Sequence, residues 1–332
     1  MTKLENIKLG HDLEICRIIN GMWQVAGGHG VINSDDAISD MINYHDAGFT
    51  TWDMADIYGP AEVFFGEFQK KLDRKSLETS KSFTKFVPNP GPMTRSIVEH
   101  YIDESIKRMN VKSIDLLQFH WWDYDDSNYI SALDNLEKLC DEGKIKNLGL
   151  TNFDTERMQQ IIDNGIDLVS NQIQYSILDQ RPENKMTLFC QKNQIQLLCY
   201  GTLLGGFFSE KYLGVPEPTR MELNTSSLQK YKNMIDFWGG WNLFQDLLFV
   251  LNEIAKKHDT SISNVSTRFI LDKPEVAGVI IGTRLGISEH RYDNLKVFEF
   301  LLDDSDYSKI MSVTDKANNL FNIIGDCGSE YR

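Results

Sequence analysis

The sequence predicts an α/β protein, a (β/α)8 TIM barrel in one domain with an N-terminal hairpin and a long loop after strand 7. Two observations carry that expectation. Short β-like runs alternate with stretches of helical periodicity along nearly the whole 332-residue chain. In addition, four proton-handling side chains, Asp53, Tyr58, Lys85 and His120, stand just beyond three such runs. A parallel barrel brings the ends of its strands to one rim, so residues from separate segments would meet there.

The elements follow in order. The first strand runs Ile15 to Asn20, and Ser34-Asp35-Asp36 opens the first helix. Gly48 to Trp52 is the run before Asp53, Glu78 to Thr84 the run before Lys85, and Ile114 to Phe119 the run before His120. Between them, Glu62 to Leu72 carries Val63, Phe65, Gly66 and Phe68, and Thr94 to Met109 spaces Ile97, Tyr101, Ile102, Ser105 and Ile106 at helical intervals. Further strands are expected at Ile145 to Leu150, Leu168 to Ile173, Ile195 to Tyr200 and Val279 to Ile281. Helices separate them at Ile130 to Cys140, Thr155 to Ile162 and Lys185 to Lys192, then at Leu243 to Lys257 with Asn264 to Leu271. Two stretches break the repeat: a hairpin around Leu9-Gly10-His11, and the connection from Thr202 to Asn242, whose length points to a functional segment such as a lid.

Composition limits the function. The apolar fraction of 41% is ample for a sizeable core. A net charge of −14 repels nucleic acid and anionic membrane surfaces. Cys16, Cys140, Cys190, Cys199 and Cys327 form no CxxC pair and read as buried or free thiols of a reducing compartment. The start, Met1-Thr2-Lys3-Leu4-Glu5-Asn6, has neither signal-peptide nor transit character, so a cytoplasmic protein is expected. No apolar stretch approaches the ~18–20 residues of a membrane helix; Leu243 to Leu251 is interrupted by Gln245 and Asp246.

The segment Gly48-Phe49-Thr50-Thr51-Trp52-Asp53-Met54-Ala55-Asp56-Ile57-Tyr58-Gly59 resembles the first signature of the aldo-keto reductases. Ser105 to Met109 with Ile114 to His120 resembles their second signature, and Ile280 to Asn294 their nucleotide site. The resemblance extends from Gly21 to Asn294. It implies a catalytic tetrad of Asp53, Tyr58, Lys85 and His120, with hydride transfer between a nicotinamide cofactor and a small carbonyl or alcohol substrate.

The four residue types suit that chemistry. Reducing a carbonyl leaves negative charge on oxygen, so the site needs an acid beside it and a group to orient it. Tyr58 would give the proton, Lys85 would lower the tyrosine's pKa, Asp53 would hold Lys85 charged, and His120 would position the carbonyl. A lone tyrosine, lysine or histidine after a strand is usually packing; their joint placement is the signal. Nearby, Asp56 reads as a solvated loop carboxylate and Asp115 as a strand-terminal cap.

No GxGxxG occurs, and Gly27-Gly28-His29-Gly30 lacks its spacing, which disfavours a Rossmann domain. The resemblance instead assigns the carboxamide to Thr151, Asn152 and Gln172 after the fifth and sixth strands, and stacks the nicotinamide on Tyr200. It further implies cofactor contacts from Gly21, Met22, Trp23, Asp53, Gly201, Leu203, Gly282, Thr283, Arg284, His290 and Asn294. Amides and a hydroxyl match a carboxamide's donors and acceptors, and a tyrosine face supports a flat ring. Arg284 would grip a 2′-phosphate, making NADP(H) the expected cofactor and NAD(H) the alternative. Leu285-Gly286-Ile287-Ser288 lengthens this loop relative to the commoner family form, His290 replaces a usual arginine, Met54 a small hydroxyl residue and Gly201 a serine.

For substrate, Trp23, Trp121 and Trp122 would wall a pocket around Tyr58 and His120, suiting a flat, apolar or sugar-like carbonyl compound. Arg181-Pro182-Glu183 stands where it could reach in. The rival readings are a nucleotide-binding regulatory subunit of the same fold, and a metal-dependent hydrolase using Asp53 and His120. The second lacks HxH or HExxH spacing, so no metal is expected.

Overall fold

The computed structural model describes residues 4–10, 12–27 and 32–331. Met1 to Lys3 of the N-terminal reading, His11 of the hairpin and Gly28-His29-Gly30 of the glycine cluster lie outside the described residues. Strands β1 (Asn6–Leu9) and β2 (Leu13–Cys16) pair antiparallel as a hairpin. Eight parallel strands close a barrel: β3 (Ile18–Gly21), β4 (Thr51–Asp53), β5 (Lys81–Phe86), β6 (Leu116–Phe119), β7 (Leu148–Thr151), β8 (Ser170–Gln174), β9 (Gln196–Tyr200) and β10 (Val276–Gly282), with β10 returning to β3. The helices around it include α1 (Ser34–Asp46), α2 (Ala61–Gln69), α3 (Arg74–Thr79), α4 (Arg95–Met109), α5 (Asn128–Asp141), α6 (Thr155–Asp163), α7 (Met186–Asn193), α8 (Ser226–Trp238), α9 (Gly240–Lys257), α10 (Ile262–Leu271), α11 (Arg291–Leu295), α12 (Asp304–Thr314) and α13 (Leu320–Ile324).

Side chains alternate across each strand, which sorts the barrel interior into levels. Phe83, Leu116 and Leu198 fill its lower level together with Ile19, and the hairpin residues Leu9, Leu13 and Ile15 close that end in the same apolar cluster. Two residues further along β5, β6 and β9 stand Lys85, Gln118 and Tyr200. The hairpin thus seals the N-terminal end of the strands, and the polar groups are left at the opposite mouth. On the outer face the fit is close: a Cβ on Gly66 of α2 would lie 2.2 Å from the Arg108 carbonyl of α4.

Several expected boundaries move. The run Ile15 to Asn20 is divided at Arg17 between hairpin and barrel. Asp53 is the last residue of β4 and Lys85 lies inside β5, while Glu78 and Thr79 belong to α3. Gln172 lies inside β8 rather than after it. The connection from Thr202 to Asn242 is not a bare lid: it contains α8, which buries Leu228, Tyr231, Met234, Ile235 and Trp238. Its apolar spacing is that of a packed helix. All five cysteines are free, and only Cys140 is less than fully buried. Among the described residues no helix is long and apolar enough to cross a membrane.

Candidate active site

Asp53 sits at the centre of the polar mouth. Its Oδ2 accepts from Lys85 Nζ at 2.6 Å, and its Oδ1 accepts from Gln118 Nε2 and from Gln172 Nε2, each at 2.8 Å. Gln172 Nε2 also donates to Gln118 Oε1 at 2.6 Å, and Lys85 Nζ to the Met54 carbonyl at 3.0 Å. Four strands therefore lock one carboxylate. Lys85 Nζ lies 4.9 Å from the Tyr58 ring centroid, and Trp23 packs edge-on against that ring at 5.0 Å.

His120 follows β6 directly. Its Nδ1 is 3.1 Å from the Thr151 carbonyl, a pure acceptor, so Nδ1 carries the hydrogen and the lone pair of a neutral ring falls on Nε2. Trp122 packs edge-on to His120 at 4.4 Å and is 39% exposed. Trp121 does not join it. That ring is fully buried against Phe119, with its indole N–H donated to the Asp126 carbonyl, so it belongs to the core rather than to a pocket wall.

The ionisable groups respond to enclosure. Burial lowers the pKa of Lys85, opposed by Asp53. Burial also raises Tyr58 well above the ordinary tyrosine value, with Asp53 adding to it. This direction is opposite to the expected lowering, because burial and the neighbouring acids dominate. Asp56 is likewise not solvated; burial, followed by the nearby Glu62, lifts its carboxyl to about 6 against the Val87 N–H. Asp115 does accept the Ser82 N–H at 2.8 Å, next to the start of β6.

The remaining expected residues occupy the same rim. Thr151 and Asn152 are buried, and Asn152 takes a left-handed backbone (φ 60°) that turns the chain out of β7. Tyr200 donates its hydroxyl to Asn152 Oδ1 at 2.7 Å. Gly201 has φ 72°, and a Cβ there would meet the Tyr231 hydroxyl at 2.5 Å, which accounts for glycine after Tyr200. Met22 N–H donates to the Asp53 carbonyl, and both Thr283 groups donate to the Gly21 carbonyl at 2.9 Å, tying Gly21 and Met22 to Gly282 and Thr283. Leu203 is half-buried on the turn after β9. Arg284 is exposed on the following turn, His290 donates its N–H to Tyr44 and precedes α11, and Asn294 is buried within α11.

One part of the mouth has no counterpart in the sequence reading. The chain's final segment folds over it: Glu330 pairs with buried Arg181 at 2.9 Å, and Arg181 is held by Asp179 through Nε and Nη2, each at 2.8 Å. Burial opposes the Glu330 charge, but Arg181 prevails and keeps its pKa below the usual carboxylate value. Lys230 of α8 donates to the Tyr331 hydroxyl at 2.6 Å, that hydroxyl lies 3.1 Å from Tyr200's, and the Tyr331 ring stands 6.3 Å from His120. Nothing local in Glu330-Tyr331 marks them as site residues; their role depends on where the chain returns.

A family model, the Aldo/keto reductase family, matches residues 17–315. The chain belongs to this family. Among the aldo/keto reductase relatives, the NADH-specific methylglyoxal reductase of Escherichia coli is 22% identical over 91% of this chain and 96% of its own length. Flagellar radial spoke protein 5 of Chlamydomonas reinhardtii is 26% identical over 66% of this chain, and the match spans about half of that longer relative (49%). A solved glycerol dehydrogenase of Gluconobacter oxydans shares the fold with a TM-score of 0.79 at 20% identity, over 95% of this chain and 96% of that one. The family is one of oxidoreductases, and this chain carries its TIM barrel.

Proposed function

We propose that this aldo-keto reductase is one barrel domain that interconverts a small aldehyde or ketone and its alcohol with NADP(H), Tyr58 serving as the proton donor. The observation that carries the reading is the Asp53–Lys85–Tyr58 arrangement at the polar mouth, in which Lys85 pairs with Asp53 and its Nζ lies over the Tyr58 ring. Bound nicotinamide would supply the hydride; Asn152, Thr151 and Gln172 would hold its carboxamide and Tyr200 its ring. The fit is chemical: amides offer both donor and acceptor, and Tyr200 is an aromatic ring fixed through its hydroxyl.

In reduction, Tyr58 transfers its proton to the developing alkoxide, and Lys85 stabilises the phenolate left behind. Because Nδ1 of His120 is engaged by a carbonyl, the ring donates from Nε2 to a substrate carbonyl only as imidazolium, whereas the neutral ring accepts from an alcohol. Trp23, Tyr58, His120 and Trp122 would line the substrate side; Trp121 is withdrawn from that set. Arg284, exposed after β10, would take the 2′-phosphate. The Escherichia coli relative's NADH specificity makes cofactor choice the first thing to measure.

A carbonyl and alcohol panel followed by NADPH and NADH absorbance tests the reading. Tyr58→Phe should bind NADPH as the parent does while reduction falls by about two orders of magnitude or more; retention of more than about a tenth of kcat in a chemistry-limited regime would remove Tyr58 as the acid. Arg284→Ala should erase ~1.5–3 kcal/mol of preference for NADPH. The similarity to flagellar radial spoke protein 5 favours one second reading, a nucleotide-binding regulatory role with little turnover. NADPH binding without turnover across the panel would support it.

A further inference from the structure

The long connection after β9 and the final residues of the chain meet at one point of the mouth. Lys230 of α8 donates from Nζ to the Tyr331 hydroxyl at 2.6 Å, and the same ammonium lies 4.3, 5.4 and 5.5 Å from the ring centroids of Tyr331, Tyr200 and Tyr231. Three aromatic rings and one hydrogen bond hold it there. The Tyr331 hydroxyl is in turn 3.1 Å from that of Tyr200, and the Tyr200 hydroxyl is 2.7 Å from Asn152 Oδ1.

Donor chemistry gives this row of contacts a direction. An ammonium can only donate, so the Tyr331 oxygen accepts from Lys230. A phenol has one hydrogen to give. Tyr200 has three polar neighbours at its hydroxyl, Asn152 Oδ1, the Tyr331 hydroxyl and Glu330 Oε1 at 3.4 Å, and the shortest contact, to an oxygen that only accepts, takes that hydrogen. Tyr331 is then left to donate to the Tyr200 oxygen. The bonds therefore run from Lys230 to Tyr331 to Tyr200 to Asn152, and each donation polarises the next. The segment that delivers Tyr331 is itself pinned, because Glu330 pairs with buried Arg181.

We propose that Lys230 and Tyr331 are positioning residues of the cofactor site, which act through Tyr200 and Asn152 to fix the nicotinamide end of the pocket. The proposal rests on the reading of Tyr200 and Asn152 as nicotinamide contacts given above. It also gives the connection from Thr202 to Asn242 a task, since α8 carries the first donor of the series. Arg284, His290 and Asn294, expected at the other end of the nucleotide, belong to the turn and helix after β10, so the effect should be confined to the nicotinamide half.

The test is equilibrium binding to the full chain, by fluorescence titration or calorimetry, of whichever of NADPH and NADH the parent holds more tightly and of the matching fragment without nicotinamide, 2′,5′-ADP or ADP. Tyr331→Phe removes the linking hydroxyl and keeps the ring, and Lys230→Met removes the first donor. Each should raise the dissociation constant of the dinucleotide by about threefold to tenfold, the range of one hydrogen bond, and leave that of the fragment within about twofold. The double variant should lose no more than about the larger single loss, because the two residues act in series. An unchanged dinucleotide constant overturns the proposal. So does an equal loss for the fragment, which is the mark of a mouth that has merely loosened, and so do losses that multiply in the double variant. If Lys230→Met folds poorly, Tyr331→Phe decides alone. A parent that binds dinucleotide and reduces no carbonyl defeats the reading of turnover only, because the binding comparison still decides the role of Lys230 and Tyr331; a parent that binds neither dinucleotide defeats the cofactor reading and this proposal together.

Discussion

Asp53 accepts three side-chain hydrogen bonds, from Lys85, Gln118 and Gln172, within an interior that excludes water. The sequence alone makes Asp53→Asn milder for turnover than Lys85→Met, since Lys85 could keep its charge without a partner. The geometry adds a cost in stability. An asparagine would turn an N–H2 group toward a ring of donors and leave a buried ammonium short of its counter-charge, which costs ~3–5 kcal/mol when one partner of a buried pair is lost. Thermal unfolding should report that loss directly, together with reduced turnover; an unchanged Tm would show that the network rearranges. Legibility at this scale depended on how a residue makes its bonds. Asp53, Tyr58, Lys85 and His120 could be grouped because each stands in or just beyond one of three strands, β4, β5 and β6. Asp56 and Trp121 were misjudged because burial depends on how the chain folds around a residue: Val87 and Glu62 close on the first, Phe119 and Asp126 on the second.

Helix–helix fit supplies the prediction at the next scale. The absent side chain of Gly66 lets α2 approach the C-terminal turn of α4, where even a methyl group would sit 2.2 Å from the backbone oxygen of Arg108. A backbone atom cannot move aside as a side chain can. Gly66→Ala should therefore destabilise the fold by ~1–3 kcal/mol despite alanine's better helix propensity, and denaturant unfolding would measure it. A neutral or stabilising result would mean that α2 shifts as a unit. Periodicity located every barrel strand, yet it misplaced their ends. Arg17 shows why: its guanidinium donates to the Val276 and Ala277 carbonyls and pairs with Glu5, so the break between hairpin and barrel is made by groups of the N-terminal segment and of β10. In α8, Leu228, Met234 and Ile235 were present as a helical pattern, but the Pro and Gly residues around them concealed it.

Across the whole molecule, the final segment is joined to the barrel by charge. Glu330 binds Arg181, and Asp326 accepts both the N–H and the hydroxyl of Thr155 at 3.0 and 2.6 Å. Glu330 has a folded-state pKa below its ordinary 4.5, so its contribution is present above that value and is lost as pH falls through the lower folded value. Glu330→Gln should loosen the segment at neutral pH, and carboxypeptidase should trim the variant several-fold faster than the parent; equal trimming rates would show that the other contacts suffice. The barrel class was legible because it repeats along the chain. This closure was not, since Arg181 and Glu330 are brought together only by the completed fold.

The placement of tryptophan gives the molecule an optical use. Trp52, Trp121, Trp238 and Trp241 are buried, whereas Trp23 and Trp122 are 41% and 39% exposed and flank Tyr58 and His120. A collisional quencher such as acrylamide therefore reaches chiefly the two indoles at the mouth and spares the emission of the core. Anything that enters the mouth should shield those two indoles, so the quenchable fraction of intrinsic fluorescence becomes a label-free gauge of occupancy, with the four core indoles as an internal reference.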